Sequence, residues 1–159
     1  MAKKALRNPA GTPSIYVLNG PNLNLLGTRE PEVYGRATLA DIGEAVSEHA
    51  GRLGLSVTFR QSNHEGELID WLQEARGKAA GVILNAGGFT HTSVAILDAA
   101  RALDVPLIEV HLSNPYRREH YRRRSFISEA ATGVICGLGA TGYLLAVEAL
   151  ARLLKERPE

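Results

Sequence analysis

Short apolar runs alternate with helical stretches along this chain, and that alternation constrains its fold more than any other feature. Ser14–Leu18 reads as a first strand. Thr38-x-x-Asp41 has the form of a capping box with Asp in place of Glu, and Leu39, Ile42, Val46 and Leu53 follow at helical spacing up to Gly54. Leu55–Arg60, with Val57, Thr58 and Phe59, predicts a second strand. Glu65–Ala75 predicts a helix with Leu68, Ile69 and Leu72 inward. Gly81–Leu84 is a third strand, His91–Leu103 a helix and Pro106–Val110 a fourth strand. Gly133–Cys136 is a fifth, and Thr141–Lys155 is a long final helix.

Strand then helix, with near-continuously apolar strands, describes a parallel sheet covered on both faces. The 159 residues make one domain. Five strands are too few for an eight-stranded barrel and fit a flavodoxin-like three-layer α/β sandwich with strand order 2-1-3-4-5. Residues 1–13 carry Lys3, Lys4 and Arg7 but no apolar core of a secretory signal, and are expected to be a disordered lead-in to a single domain over 14–159. Cys136 is the single cysteine, so no intrachain disulfide is available and a cytoplasmic location is expected. No apolar run approaches a membrane span, so no membrane partner is expected.

Polar and glycine residues follow the strand ends: Asn19 and Asn22 the first, Asn63 and His64 the second, Asn85 the third, His111 and Ser113 the fourth, Gly137 and Gly139 the fifth. Open parallel sheets bind ligands at that edge, near the switch between strands one and three. Asn22, Arg29, Tyr34, Asn85 and His111 should therefore converge. The stretch Asn19 to Gly35 is too rich in Gly, Pro and Asn to be regular, yet carries Leu23, Leu25 and Leu26. A surface Ω-loop pinned by its leucines is the plainer reading. A loop that delivers Arg29 and Tyr34 to the sheet edge is the functional one.

The candidate chemistry is narrow. The histidines show no metal-ligand spacing, and there is no Gly-x-Ser-x-Gly elbow, so neither a metal nor a serine nucleophile is expected. The lysines are Lys3, Lys4, Lys78 and Lys155, none of them near the strand ends, which argues against a Schiff base. Acid–base work by Tyr, His and Arg remains. Making phenolate from a free tyrosine at pH 7 costs about 4 kcal/mol. A guanidinium about 4 Å away contributes at most about 4 kcal/mol at an effective dielectric near 20. Arg29 beside Tyr34 would make a phenolate base accessible, although Arg29 also has an adjacent ion-pair partner in Glu30. Strand alternation puts Glu109 and His111 on one face, so His111 is a candidate acid oriented by Glu109 or Ser113. Ser113 and the amides of Leu112 and Ser113 are candidates to hold an anion.

The run Arg117 to Arg124 is the densest charge in the chain. A solvated or nucleic-acid-contacting patch is the bland reading, but the net charge is only +1 and few aromatics interleave. Helical spacing would put Arg118 and Arg122 on one face, as a mobile helical lid that carries arginines to a carboxylate.

Together, N-G-P-N-L-N-L-L-G-x-R-E-P-x-x-Y-G, L-N-A-G-G-x-T-H-T-S, E-V-H-L-S-N and A-T-G-V-I-C-G-L-G-x-x-G-Y resemble the type II 3-dehydroquinate dehydratases, from about Ile15 to Leu154. The resemblance implies a flavodoxin-like fold without flavin, a homododecamer built as a tetramer of trimers, and cofactor-free anti elimination of water from 3-dehydroquinate in the shikimate pathway. Carried onto this chain, it makes Tyr34 the base at C2, with Arg29 stabilising its phenolate. Asn22 holds a water at the enolate oxygen, and His111 protonates the hydroxyl leaving C1. It assigns substrate binding to Asn85, His91, Leu112, Ser113 and Arg122, puts Arg118 in the lid, and has Asp98 reach a neighbouring subunit's site.

Two other classes stay open on the residues alone. One is a flavodoxin-like binding module for a flavin or nucleotide, although the first loop is not Gly-x-Gly-x-x-Gly and Trp71 falls at core spacing with Leu68. The other is an RNA-binding module using the arginine run, which would bind with steep salt dependence.

Overall fold

A computed structural model describes residues 11–156. The lead-in expected over 1–13 falls outside these residues as far as residue 10. Pro13 is already tied to the sheet, since its carbonyl accepts from the Ser56 N–H at 2.9 Å.

The strands are β1 (Ser14–Asn19), β2 (Ser56–Gln61), β3 (Gly81–Asn85), β4 (Leu107–His111) and β5 (Gly133–Cys136), all parallel in the order β2-β1-β3-β4-β5. The helices are α1 (Pro31–Tyr34), α2 (Leu39–Arg52), α3 (Glu65–Ala75), α4 (Val94–Arg101) and α5 (Thr141–Glu156). Side-chain alternation along the strands divides the core in two. Ile15, Val17, Ile83, Ile108 and Val110 face α2 and α5, meeting Ile42, Val46, Val147 and Leu150. Tyr16, Leu18, Val82, Leu84 and Leu107 face α3 and α4, meeting Leu68, Leu72, Ile96 and Ala100. The result is the expected three-layer sandwich.

Local signals set the boundaries. The Thr38 hydroxyl accepts from the Asp41 N–H at 3.1 Å and the Asp41 carboxylate from the Thr38 N–H at 2.9 Å, so the predicted capping box starts α2. The helix expected from His91 begins instead at Val94, because the Ser93 hydroxyl caps it through the Ile96 N–H at 2.9 Å. Gly87–His91 forms a separate 3-10 turn. The arginine run is not one helix either. Pro115–Arg117 and His120–Arg123 are short 3-10 turns, separated where Arg118 is extended. The helical-lid expectation is corrected on that point: helix registration is lost at Arg118.

Register aligns the sheet edge. Asn19 pairs with Gln61 on one side and Asn85 on the other, so three polar residues end neighbouring strands at one level. A side chain at Gly20 would place its Cβ 2.4 Å from the Ala86 carbonyl oxygen, so only glycine lets the two chain exits pass. No described helix is long and apolar enough to cross a membrane.

Candidate active site

The strand ends open into a cavity of about 170 Å³. It lies at the switch between β1 and β3, where the order of the strands reverses. Asn22, Arg29, Tyr34, Asn85, His91, His111, Leu112, Ser113, Arg118 and Arg122 all line it. Residues from 22 to 122 are thus brought to one place by the exits of three strands, β1, β3 and β4, the last with the arginine turns that follow it. The wall carries three guanidinium groups and no carboxylate, which suits an anionic ligand.

The loop after β1 supplies one wall. Asn22 adopts a left-handed φ of 67°, and its N–H donates to the Asn63 side chain at 2.9 Å, which pins the loop to the exit of β2. Pro31 opens the single turn of α1, and that turn presents Tyr34. Leu23 and Leu26 are buried in the core and also line the cavity, so the leucines anchor a loop that is part of the site.

Arginine contacts differ from the sequence expectation. Arg118 Nη1 donates to the Tyr34 hydroxyl at 2.9 Å and to the Ser113 hydroxyl at 3.3 Å. The Arg29 guanidinium is 5.7 Å from the Tyr34 ring centroid and pairs with Glu30 at 3.4 Å. Proximity in sequence favoured Arg29, whereas the fold puts Arg118 in contact. Arg122 faces the cavity while its Nε donates to Glu119 at 2.9 Å.

His111 and Glu109 form the expected pair, with Nε2 and Oε1 at 2.6 Å. Glu109 does not line the cavity; it is 0% exposed and lies behind His111. Burial opposes its charge, but hydrogen bonds from His111, Ser125 and Ser128 outweigh burial and hold the carboxyl at about 2. His91 Nδ1 meets the Arg124 carbonyl at 2.7 Å. Burial lowers the His91 pKa from its ordinary value and that carbonyl opposes the shift, so the pocket favours the neutral ring.

Beneath the cavity, Asn85 is 3% exposed. Its amide donates to the Tyr143 hydroxyl at 2.9 Å, and Tyr143 donates to Asn19 Oδ1 at 2.7 Å. Asn85 Oδ1 accepts from the Gly87 N–H at 3.2 Å. Gly87 has φ +57°, and a Cβ there would sit 3.0 Å from the Pro21 carbonyl oxygen. Asp98 is exposed on α4 and is not among the cavity residues. The sequence reading gave no role to Thr90, Ser125, Ser128 or Tyr143. Thr90 and Tyr143 stand inside the quoted motifs and Ser125 and Ser128 in none, and only the fold gathers their hydroxyls. Among the described residues no group of three or more His, Cys, Asp or Glu side chains is placed to hold a metal ion.

The fold and this cavity define a class: a flavodoxin-like α/β protein whose switch-point crevice is built for acid–base chemistry on an anion. The family model described as dehydroquinase class II matches residues 13–151. The chain belongs to that family. It is 58% identical over 145 residues to 3-dehydroquinate dehydratase 2 of Pseudomonas putida, covering 91% of this chain and 97% of that one. It is 60% identical over 141 residues to the 3-dehydroquinate dehydratase of Phenylobacterium zucineum, covering 89% and 97%. The crystal structure of type II dehydroquinase from Propionibacterium acnes superposes with a TM-score of 0.85 at 42% identity, covering 87% and 96%. That from Butyrivibrio crossotus gives 0.86 at 39%, covering 87% and 97%. The binding-module alternatives fall with this membership.

Proposed function

We propose that the cavity eliminates water from 3-dehydroquinate to give 3-dehydroshikimate, the hydro-lyase step of the shikimate pathway. The observation that carries the residue roles is the Arg118–Tyr34 contact of 2.9 Å in the same cavity as the His111–Glu109 pair. Tyr34, as phenolate, takes a proton from C2, alpha to the ketone, and the electron pair moves to the carbonyl oxygen as an enolate. The enolate then collapses, a C1–C2 double bond forms, and the C1 hydroxyl leaves as water with a proton from His111. Arg118, in contact, and Arg29, further off, stabilise the phenolate. Asn22 places a water at the enolate oxygen. Ser113, Leu112, Asn85, His91 and Arg122 hold the substrate, with Arg122 on its carboxylate. No cofactor or metal takes part.

The same reading makes the chain a subunit of a homododecamer in the cytoplasm, a tetramer of trimers in which Asp98 reaches a neighbour's site. Its exposed position on α4 supports that role. Adding 3-dehydroquinate should raise the ultraviolet absorbance of a conjugated enone. No rise with folded protein at saturating substrate would overturn the assignment.

A further inference from the structure

Glu109 is fully buried, ionised and held by more donors than its partner histidine supplies. Oε1 meets His111 Nε2 at 2.6 Å, the Thr90 hydroxyl at 2.9 Å and the Ser125 hydroxyl at 2.5 Å. Oε2 accepts from the Ser128 hydroxyl at 2.5 Å. The Thr90 and Ser125 hydroxyl oxygens are themselves 2.5 Å apart. Two hydroxyl protons serve the three contacts among Thr90, Ser125 and Oε1, so one hydroxyl acts through the other. These hydroxyls come from two elements, the turn after β3 and the segment after the arginine turns. None of them lines the substrate cavity. Ser125 and Ser128 line a small recess of about 30 Å³ that shares His91, His111 and Arg122 with the cavity wall and reaches Cys136.

A buried carboxylate with one partner is free to rotate, to take up a proton, or both. With both oxygens engaged it does neither, and the ring bonded to it keeps one orientation. We propose that Thr90, Ser125 and Ser128 are positioning residues of the dehydration: they fix Glu109 so that it holds His111 by Nε2 and leaves Nδ1 for the substrate's leaving hydroxyl. The proposal rests on the reading of His111 as the acid. Around His111 the other titratable and charged groups are Glu109 on its own strand, Cys136 paired with it on β5, Tyr34, Arg29, His91, Arg118 and Arg122 at the cavity, and Tyr116 and Arg123 at the recess. None of these is removed by substituting a hydroxyl, so a changed kcat in a hydroxyl variant reports on Glu109 and His111.

The test uses Ser128→Ala, Ser125→Ala and Ser128→Thr, with kcat and KM for 3-dehydroquinate measured across about pH 5 to 9. The alanine variants should lose about tenfold in kcat while KM stays within about twofold. Ser128→Thr restores a hydroxyl and should recover most of the loss. A proportionate change in KM, or a threonine variant no better than alanine, would overturn the proposal. Ser128 sits at an exposed position, and thermal melts check that its variants fold. A second readout needs no turnover: nitrogen-15 spectra of neutral His111 should show the proton on Nε2 in the native protein and a tautomer mixture in the double alanine variant. Identical tautomers in both would refute the positioning role directly. Glu109→Gln separates the two levels, since a wild-type profile in that variant sinks the reading of His111 and Glu109 as a pair, whatever the serines do.

Discussion

Arg118 donates to the hydroxyl of Tyr34 at 2.9 Å, although 84 residues separate them in the chain. The guanidinium also lies 5.2 Å from the ring centroid, so it meets both the oxygen and the π system of the same side chain. This contact orders the expected effects of three substitutions. Tyr34→Phe keeps the ring and removes the base, and should lower kcat by at least about 10³-fold. Arg118→Ala removes the donor in contact and should cost about 10²- to 10³-fold. Arg29→Ala should cost less, since Arg29 is more distant and already paired to Glu30. Steady-state kinetics decide; an Arg29→Ala protein slower than Arg118→Ala would reverse the assignment.

Arg122 lines the cavity with its Nε held by Glu119, which leaves its Nη groups for a ligand. Arg122→Ala should weaken substrate binding by about 1.5–3 kcal/mol, the range for a hydrogen bond to a charged group. An unchanged dissociation constant, measured with a non-reacting substrate analogue, would take Arg122 out of the site.

Lys78 pairs with Glu74 at 3.6 Å, and neither Lys78 nor Lys155 lines the cavity. Borohydride added with substrate should therefore leave the enzyme active, because no imine forms to be reduced. Substrate-dependent inactivation and a matching mass increase on a lysine would contradict this.

Glu74 offers a test of acid stability away from the site. Arg60 donates to both of its oxygens, at 2.8 and 3.2 Å, and Tyr16 donates at 2.9 Å. Those bonds, Arg60 first, hold the Glu74 carboxyl at about 2 against an ordinary 4.5. A carboxyl lowered in the folded state stabilises fully above its unfolded value, and the contribution fades as pH falls toward the folded one. Glu74→Gln should thus lose about 1–3 kcal/mol at neutral pH. The gap to the native protein should narrow by pH 3 in urea unfolding. Glu109 shifts the same way in both proteins and cancels from the difference. A gap independent of pH would mean that the charge of Glu74 is not what stabilises.

The sequence was most legible where a pattern is local. Alternating apolar runs marked all five strands, and the Thr38–Asp41 pair marked the start of α2. The cavity residues were legible because each follows a strand end. Contacts between distant segments were not. Arg29 stood five residues from Tyr34 and drew the role of its partner, while the fold supplied Arg118. Spacing suggested a helix through the arginines, but the extended backbone at Arg118 breaks the run into two turns. Ser125 and Ser128 read as ordinary polar loop residues, and only a buried carboxylate sixteen and nineteen positions upstream gives them a part.

The bond from Tyr143 to Asn19 joins α5 to the first strand across 124 residues. Synthesis proceeds from the N-terminus, so β1 leaves the ribosome long before the hydroxyl that orders its end. Until then Asn85 lacks the acceptor on which its amide rests, and the floor of the crevice is short of the bonds that tie Asn85 and Asn19 together through Tyr143. A nascent chain that has made every cavity-lining residue is still without a finished site, and catalytic competence arrives only with the last helix.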